Sequence, residues 1–286
     1  MAFSFFNRNK NNNKSEMAFV DHLEALRWHV VRSLLAIIIV AIVVYINIDW
    51  IFDHIVTGPV QKDFFTYTWL CNLSHQLHAG DALCIPPINI NMQTTAYGSQ
   101  FISSFTIAFV MAFIIAFPYI FWEFWRFIRP ALNPKEIKNT RGSIFWVSFF
   151  FFCGAAFGYF LLAPFTFSFL ANFTLGTHTI VETRPTLTDY IDNLVDIILG
   201  TGIAFELPVA SFVLTKIGIL TPTFLKKYRK YAYIIILVIA AVITPSPDWM
   251  SQTIVFIPLM VLYEISIAIS KRIYKREEDE AAKEWS

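Results

Sequence analysis

Leu194-Val-Asp-Ile-Ile-Leu-Gly-Thr-Gly-Ile-Ala-Phe-Glu-Leu-Pro-Val-Ala-Ser-Phe-Val-Leu-Thr-Lys216 decides the reading of the chain, because a single carboxylate interrupts a run long enough to cross a membrane. Asp196 and Lys216 bracket 19 residues, roughly 28 Å of helix at 1.5 Å per residue and about one bilayer core. Glu206 falls in the middle. Holding an ionised carboxylate there costs a few kcal/mol even on lenient insertion scales, so the side chain is expected to face protein or water rather than lipid. Pro208 removes a backbone donor and, with Gly200 and Gly202, weakens the helix around the acid.

Working outward, the composition agrees with that reading. Of 286 residues, 56% are hydrophobic and 15% charged, which is too apolar for a soluble domain of this size. A formal charge of +1 gives no polyelectrolyte character, so no nucleic-acid partner is expected. Six apolar segments stand out, at about 30–48, 97–121, 143–165, 194–215, 231–244 and 251–270. They are too long and too uniform for barrel strands, so the fold class is an all-α polytopic membrane protein with six transmembrane helices. The fifth is bounded by Lys230 and Asp248 and the sixth by Asp248 and Glu264, so both are expected to be short. All basic residues except Lys62 and Arg184 lie on one side, which predicts that both termini are cytoplasmic.

Residues 1–16, rich in Asn and Lys, read as a disordered cytoplasmic lead, 17–272 as the membrane domain and 273–286 as a charged cytoplasmic tail. No signal peptide is expected. Phe19, Leu23, Leu26 and Val30 recur at helical spacing, and Glu24 can pair with Arg27 three residues on. The long outer loop, 49–95, holds Cys71 and Cys84 on the face where oxidation is permitted. Two readings stand, a disulfide closing the loop and a pair of free thiols, and the topology favours the bridge.

The second helix ends in an aromatic belt in which Glu123 and Arg126 are three apart and expected to pair. Asn133-Pro134-Lys135-Glu136 has the pattern of a capping box, which alone would explain Glu136. Gly154 and Gly158 have the spacing for close helix contact, and Thr186 and Thr221 read as helix caps. Glu264 lies about 10 Å inside the basic boundary, within partial reach of Lys271. The six His show no metal-ligand spacing, and no nucleotide motif or nucleophile–base pair can be placed, so neither metal, cofactor nor enzymatic activity is expected. Two classes remain: an ion-coupled transporter or channel, and a binding or assembly platform.

The residues that separate these classes are Asp21-His-Leu-Glu-Ala-Leu-Arg27, Gly58-Pro59, Trp125-Arg-Phe-Ile-Arg-Pro-Ala-Leu132 with Glu136, Phe205-Glu-Leu-Pro208, Thr244-Pro245 with Pro247-Asp248 and Ser251-Gln252, and Tyr263-Glu264-Ile265. In that order they resemble the TatC family, the membrane-receptor subunit of the twin-arginine protein translocase, over residues 17–272. The resemblance implies a cup of six helices in the bacterial cytoplasmic (inner) membrane. Such a protein binds Arg-Arg signal peptides of folded cargo at its cytoplasmic face, assembles with single-helix TatA/TatB-type subunits and with itself, and uses the proton motive force.

Carried over to this chain, the resemblance implies signal-peptide binding by Glu136, Glu24, Arg27 and Phe127. It also implies intramembrane polar roles for Glu206 and Glu264, partner-helix docking at Thr244 and Gln252, and structural roles for Pro59 and Asp248 at the outer face. The family motif has Glu two residues before its Arg, where this chain has Ala25; Glu24 is offset by about 100° and either substitutes by rotation or serves Arg27 alone. The rival reading is a proton-coupled secondary transporter or channel using Glu206 and Glu264 as a relay. No likeness between helices one to three and four to six supports the inverted repeat common in such proteins.

Overall fold

Backbone groups in an apolar layer must satisfy one another, and the apolar segments of this chain do so as helices. A computed structural model describes residues 10–76, 78, 80, 84, 88, 91–128, 141–173, 184–216, 218–245 and 249–284. The first span is α1 (Lys10–Ile46), followed on the outer side by α2 (Ile48–Ile51), a π-turn (Phe52–Val56), a 3-10 turn (Gly58–Val60) and α3 (Phe65–Gln76). The second span is α4 (Ser99–Ile128). The third comprises α5 (Arg141–Phe157) and α6 (Ala163–Asn172), joined through a π-turn at Gly158–Leu162. The fourth comprises α7 (Leu187–Ala204) and α8 (Leu207–Lys216). After the short α9 (Pro222–Lys227), the fifth is α10 (Arg229–Ile243) and the sixth α11 (Trp249–Glu284).

Neighbouring spans follow one another in an arc. The first packs on the second, the second on the third and fourth, the third on the fourth, and the fourth on the fifth and sixth, which pack on each other. The first and sixth lie at opposite ends, so the six make an open cup rather than a closed ring. Leu162, Ile197 and Leu259 are fully buried in one cluster of spans three, four and six, and Phe151 is fully buried between Phe117 of span two and Gly202 of span four. Thr166 bonds Ser251 at 3.4 Å and Thr215 bonds Ser270 at 2.9 Å, tying spans three and four to span six through hydroxyls.

Two sequence expectations change. Helix α1 begins at Lys10, inside the expected lead, because extending an existing helix costs far less than nucleating one. The sixth span is not short: α11 runs 36 residues without a break, through Glu264 and into the charged tail, whose Glu, Ala and Lys residues are good helix formers. The fifth keeps its expected shortness, at 15 residues or roughly 22 Å. Thr186 and Thr221 cap their helices, accepting from the backbone N–H of Asp189 at 3.1 Å and of Phe224 at 3.2 Å.

At the end away from the basic connections, three tyrosines from separate elements hold the segment 55–59. The hydroxyls of Tyr159, Tyr190 and Tyr67 donate to the carbonyls of Ile55, Val56 and Pro59 at 2.7, 2.6 and 2.6 Å. Burial pushes the Tyr67 phenol well above its ordinary value, so it remains a donor throughout the physiological range. A Cβ at Gly58 would lie 2.6 Å from the Tyr159 hydroxyl, which explains a glycine before the fully buried Pro59. Gln93 pairs with the second outer connection, its N–H donating to Pro185 and its carbonyl accepting from Leu187.

Candidate functional site

At the basic end, spans one and two meet around a carboxylate that the sequence assigns to the wrong partner. Glu123 is 2% exposed and turns away from Arg126 toward the first span. The His29 Nδ1–H donates to Glu123 Oε2 at 2.5 Å, the Tyr119 hydroxyl donates to Oε1 at 3.2 Å, and Arg32 Nη1 lies 3.9 Å from Oε2. Phe127, one turn further along α4, meets the His29 ring edge-on with centroids 6.1 Å apart. Spacing three apart within one helix suggests a local pair, but burial selects the cross-helix donors that can follow the carboxylate out of solvent.

Removing one partner of a buried charged pair leaves the other uncompensated, so Glu123→Ala is expected to destabilise the protein by about 3 kcal/mol. Thermal unfolding in detergent measures this, and Glu123→Gln should recover part of it. A wild-type midpoint for the alanine variant would show that the latch contributes nothing.

Glu24 and Arg27 are both exposed on α1, and no ion pair joins them within 4.0 Å. Their sequence pairing is therefore replaced by two separate groups in solvent. Glu136 and Asp248 lie outside the described residues.

Further toward the sixth span, Glu264 is engaged by Arg229 and Tyr233 rather than Lys271. The Arg229 guanidinium donates to Oε2 and the Tyr233 hydroxyl to Oε1, the latter at 2.5 Å. Tyr263 donates to the Leu225 carbonyl at 2.8 Å. These bonds fasten the start of span five to span six, and a carboxylate so occupied is a lock rather than a free relay station.

Span four is interrupted between α7 and α8, as the proline and glycines around the acid predict, and Glu206 stands in the break. Its N–H bonds the Ile203 carbonyl at 3.0 Å, a tightened turn, while its Oε1 is buried with no hydrogen-bond partner among the described residues. No described cation lies within 4.0 Å of it. Two further buried oxygens, Ser148 Oγ and Ser211 Oγ, share this condition. Spans three and four run antiparallel with Gly158 against Thr201 and Gly154 against Phe205. Spans three and four thus carry three buried oxygens without partners among the described residues, which no local motif announces.

Thr244 is 6% exposed and donates to its own helix at the Ala240 carbonyl, 3.0 Å away. Gln252 reaches across to the Leu237 carbonyl of span five at 3.3 Å. Cys71 and Cys84 are joined as a disulfide, while Cys153 is free. His75 offers its ring within 4.8 Å of both sulfurs, but sulfurs bonded to each other are not thiolate ligands.

A succession of six helices with polar locks at their ends and an acid inside one of them defines a membrane component of protein-translocation machinery once its relatives are considered. The family model described as Sec-independent protein translocase protein (TatC) matches residues 21–258, and the chain belongs to that family. A TatC of Blattabacterium sp. subsp. Periplaneta americana is 40% identical over 267 residues, covering 93% of this chain and 99% of the relative. The Deinococcus radiodurans TatC is 36% identical over 193 residues, or 67% and 70% of the two chains. A crystal structure titled as the twin-arginine translocase receptor TatC matches with a TM-score of 0.66 at 31% identity, covering 87% of this chain and 98% of that one. The protein is thus a translocase component and not an enzyme.

Proposed function

We propose that this chain is the core receptor of a twin-arginine translocase, binding Arg-Arg signal peptides at its basic, cytoplasmic face. It sits in the bacterial cytoplasmic membrane with both termini inside, and it gathers single-helix TatA/TatB-type subunits and further copies of itself for export driven by the proton motive force. The observation that carries this reading is at the basic end: Glu24 is exposed without an ion-pair partner among the described residues, on the helix that Glu123 locks to α4 through His29. A guanidinium is read by such a carboxylate in bidentate geometry, and Phe127 sets an apolar ring against His29 of that helix. Glu136 supplies the second acid, and Arg27 orders the same helical face. Thr244 and Gln252 mark the seam of spans five and six as the docking place for a partner helix. Pro59 and Asp248 shape the outer face.

Photocrosslinking of an Arg-Arg signal peptide to this protein in membranes tests the proposal. Crosslinks should form at the basic face and fall sharply for the Lys-Lys peptide. Glu136→Gln should weaken binding about tenfold, since a hydrogen bond to a charged group contributes ~1.5–3 kcal/mol. Equal labelling by both peptides, unaffected by Glu136→Gln, would sink the receptor reading.

A further inference from the structure

Away from the sites already described, a cavity of about 440 Å³ opens on the outer side between the end of the first span and the start of the second. Its polar lining is Asp49, Asp53, Gln100, Ser103 and Ser104. Asp49 and Asp53 lie one turn apart, and neither carboxylate has an ion-pair partner within 4.0 Å among the described residues. Ser103 is only 4% exposed, yet its hydroxyl makes none of the hydrogen bonds found for the described residues. A hydroxyl that is unpaired within the described protein and opens onto a cavity is free to bond a ligand there.

The remaining wall is apolar, with Phe52, Ile107 and Leu187 below the carboxylates. A bare metal ion would fill a small fraction of this volume and leave that wall unused. The positive end of α4 offsets about half a unit of charge, which leaves the two carboxylates net negative. Such a site suits an ammonium group with carbon attached, whose three N–H donors are shared among carboxylate, amide and hydroxyl oxygens.

Beside the cavity Tyr45 stacks on Phe105 at 5.0 Å and Phe105 meets Phe101 at 4.8 Å, and all three rings are exposed, as is Trp50. A girdle of exposed aromatic rings marks headgroup depth in a membrane protein. We propose that this cavity binds a primary ammonium group, supplied at that depth by the headgroup of a phosphatidylethanolamine-type lipid. The amine enters between Asp49 and Asp53 and donates to Ser103, while the lipid's chains lie along the exposed faces of spans one and two.

The test is thermal unfolding of the full-length, delipidated protein in detergent, with phosphatidylethanolamine, phosphatidylcholine, ethanolamine and calcium chloride added separately. Phosphatidylethanolamine should raise the midpoint by about 5 °C, because a ligand that binds only the folded state stabilises it. Phosphatidylcholine should do much less, having a trimethylated nitrogen with no N–H to donate. The double variant Asp49→Asn, Asp53→Asn alters two exposed side chains, so it should match wild type without lipid and lose the phosphatidylethanolamine increment. A full shift with ethanolamine alone would support the ammonium site with a soluble source, whereas a shift only with the lipid supports the headgroup. Equal shifts from the two lipids, an increment that survives the double substitution, or a shift produced by calcium instead would each overturn the assignment.

Discussion

Replacing Gly154 with leucine is expected to leave little folded protein to purify. A Cβ at this position would stand 2.5 Å from the Thr201 carbonyl oxygen, 2.8 Å from the Phe205 Cβ and 2.9 Å from the Gly202 Cα. Two of these atoms are backbone, so no rotamer change relieves the clash and spans three and four must separate. Separation opens the packing of Phe151 against Gly202 and with it the fully buried Ile197, so the cost should reach about 3 kcal/mol or more. Gly154→Ala should fall between, since it adds the first clashing atom without the rest of the side chain. Gly98→Ala provides the comparison, because a Cβ there meets nothing within 4 Å. Yield after extraction and the thermal midpoint report the result. A leucine variant that extracts and melts like wild type would show that the two helices are not in the contact described.

The largest functional effect is expected at Glu206, where leucine should abolish export while leaving signal peptide crosslinked at the basic face. The carboxyl stands in a break of the fourth span with Oε1 buried and without a hydrogen-bond partner among the described residues. Leucine removes this buried polar group, so a polar segment entering the cup would no longer find it available to exchange hydrogen bonds. Glutamine keeps the shape and the hydrogen-bonding capacity and should retain substantial export. The comparison separates two mechanisms. If glutamine is as inactive as leucine, and the purified protein alone moves protons in liposomes, the group acts by titration and the receptor mechanism proposed above is wrong. If both variants export normally, Glu206 serves only to join helices.

Much of the fold is legible because it rests on local chemistry. Long runs without charge locate the spans, Thr186 and Thr221 announce helix starts, and Gly154 with Gly158 announces a close helix contact. Proline and glycine beside Glu206 likewise predict the break in span four. What stays hidden depends on partners far away in sequence. Glu123 meets His29 across 94 residues and Tyr190 meets Val56 across 134, so a local pairing rule chose Arg126 for the first and offered nothing for the second. Span six looked short because Glu264 was read as a boundary, whereas Arg229 and Tyr233 let that acid sit within a continuing helix. That Ser148 and Ser211 keep buried, unpartnered hydroxyls among the described residues depends on packing between helices that no single segment reveals.

The unbroken sixth helix makes the molecule a lever. At 36 residues it is roughly 54 Å long against an apolar layer of about 30 Å, so a good part of it stands clear of the membrane. Its fulcrum is the Glu264 lock to Arg229, with the Thr215–Ser270 bond as a second bearing nearby. From Glu264 to Glu284 the shaft is about 30 Å, so a rocking of about 10° at the lock sweeps the far end through about 5 Å. Any tilt of this helix at the lock is thereby enlarged at its tip, where a distance probe would register it most readily.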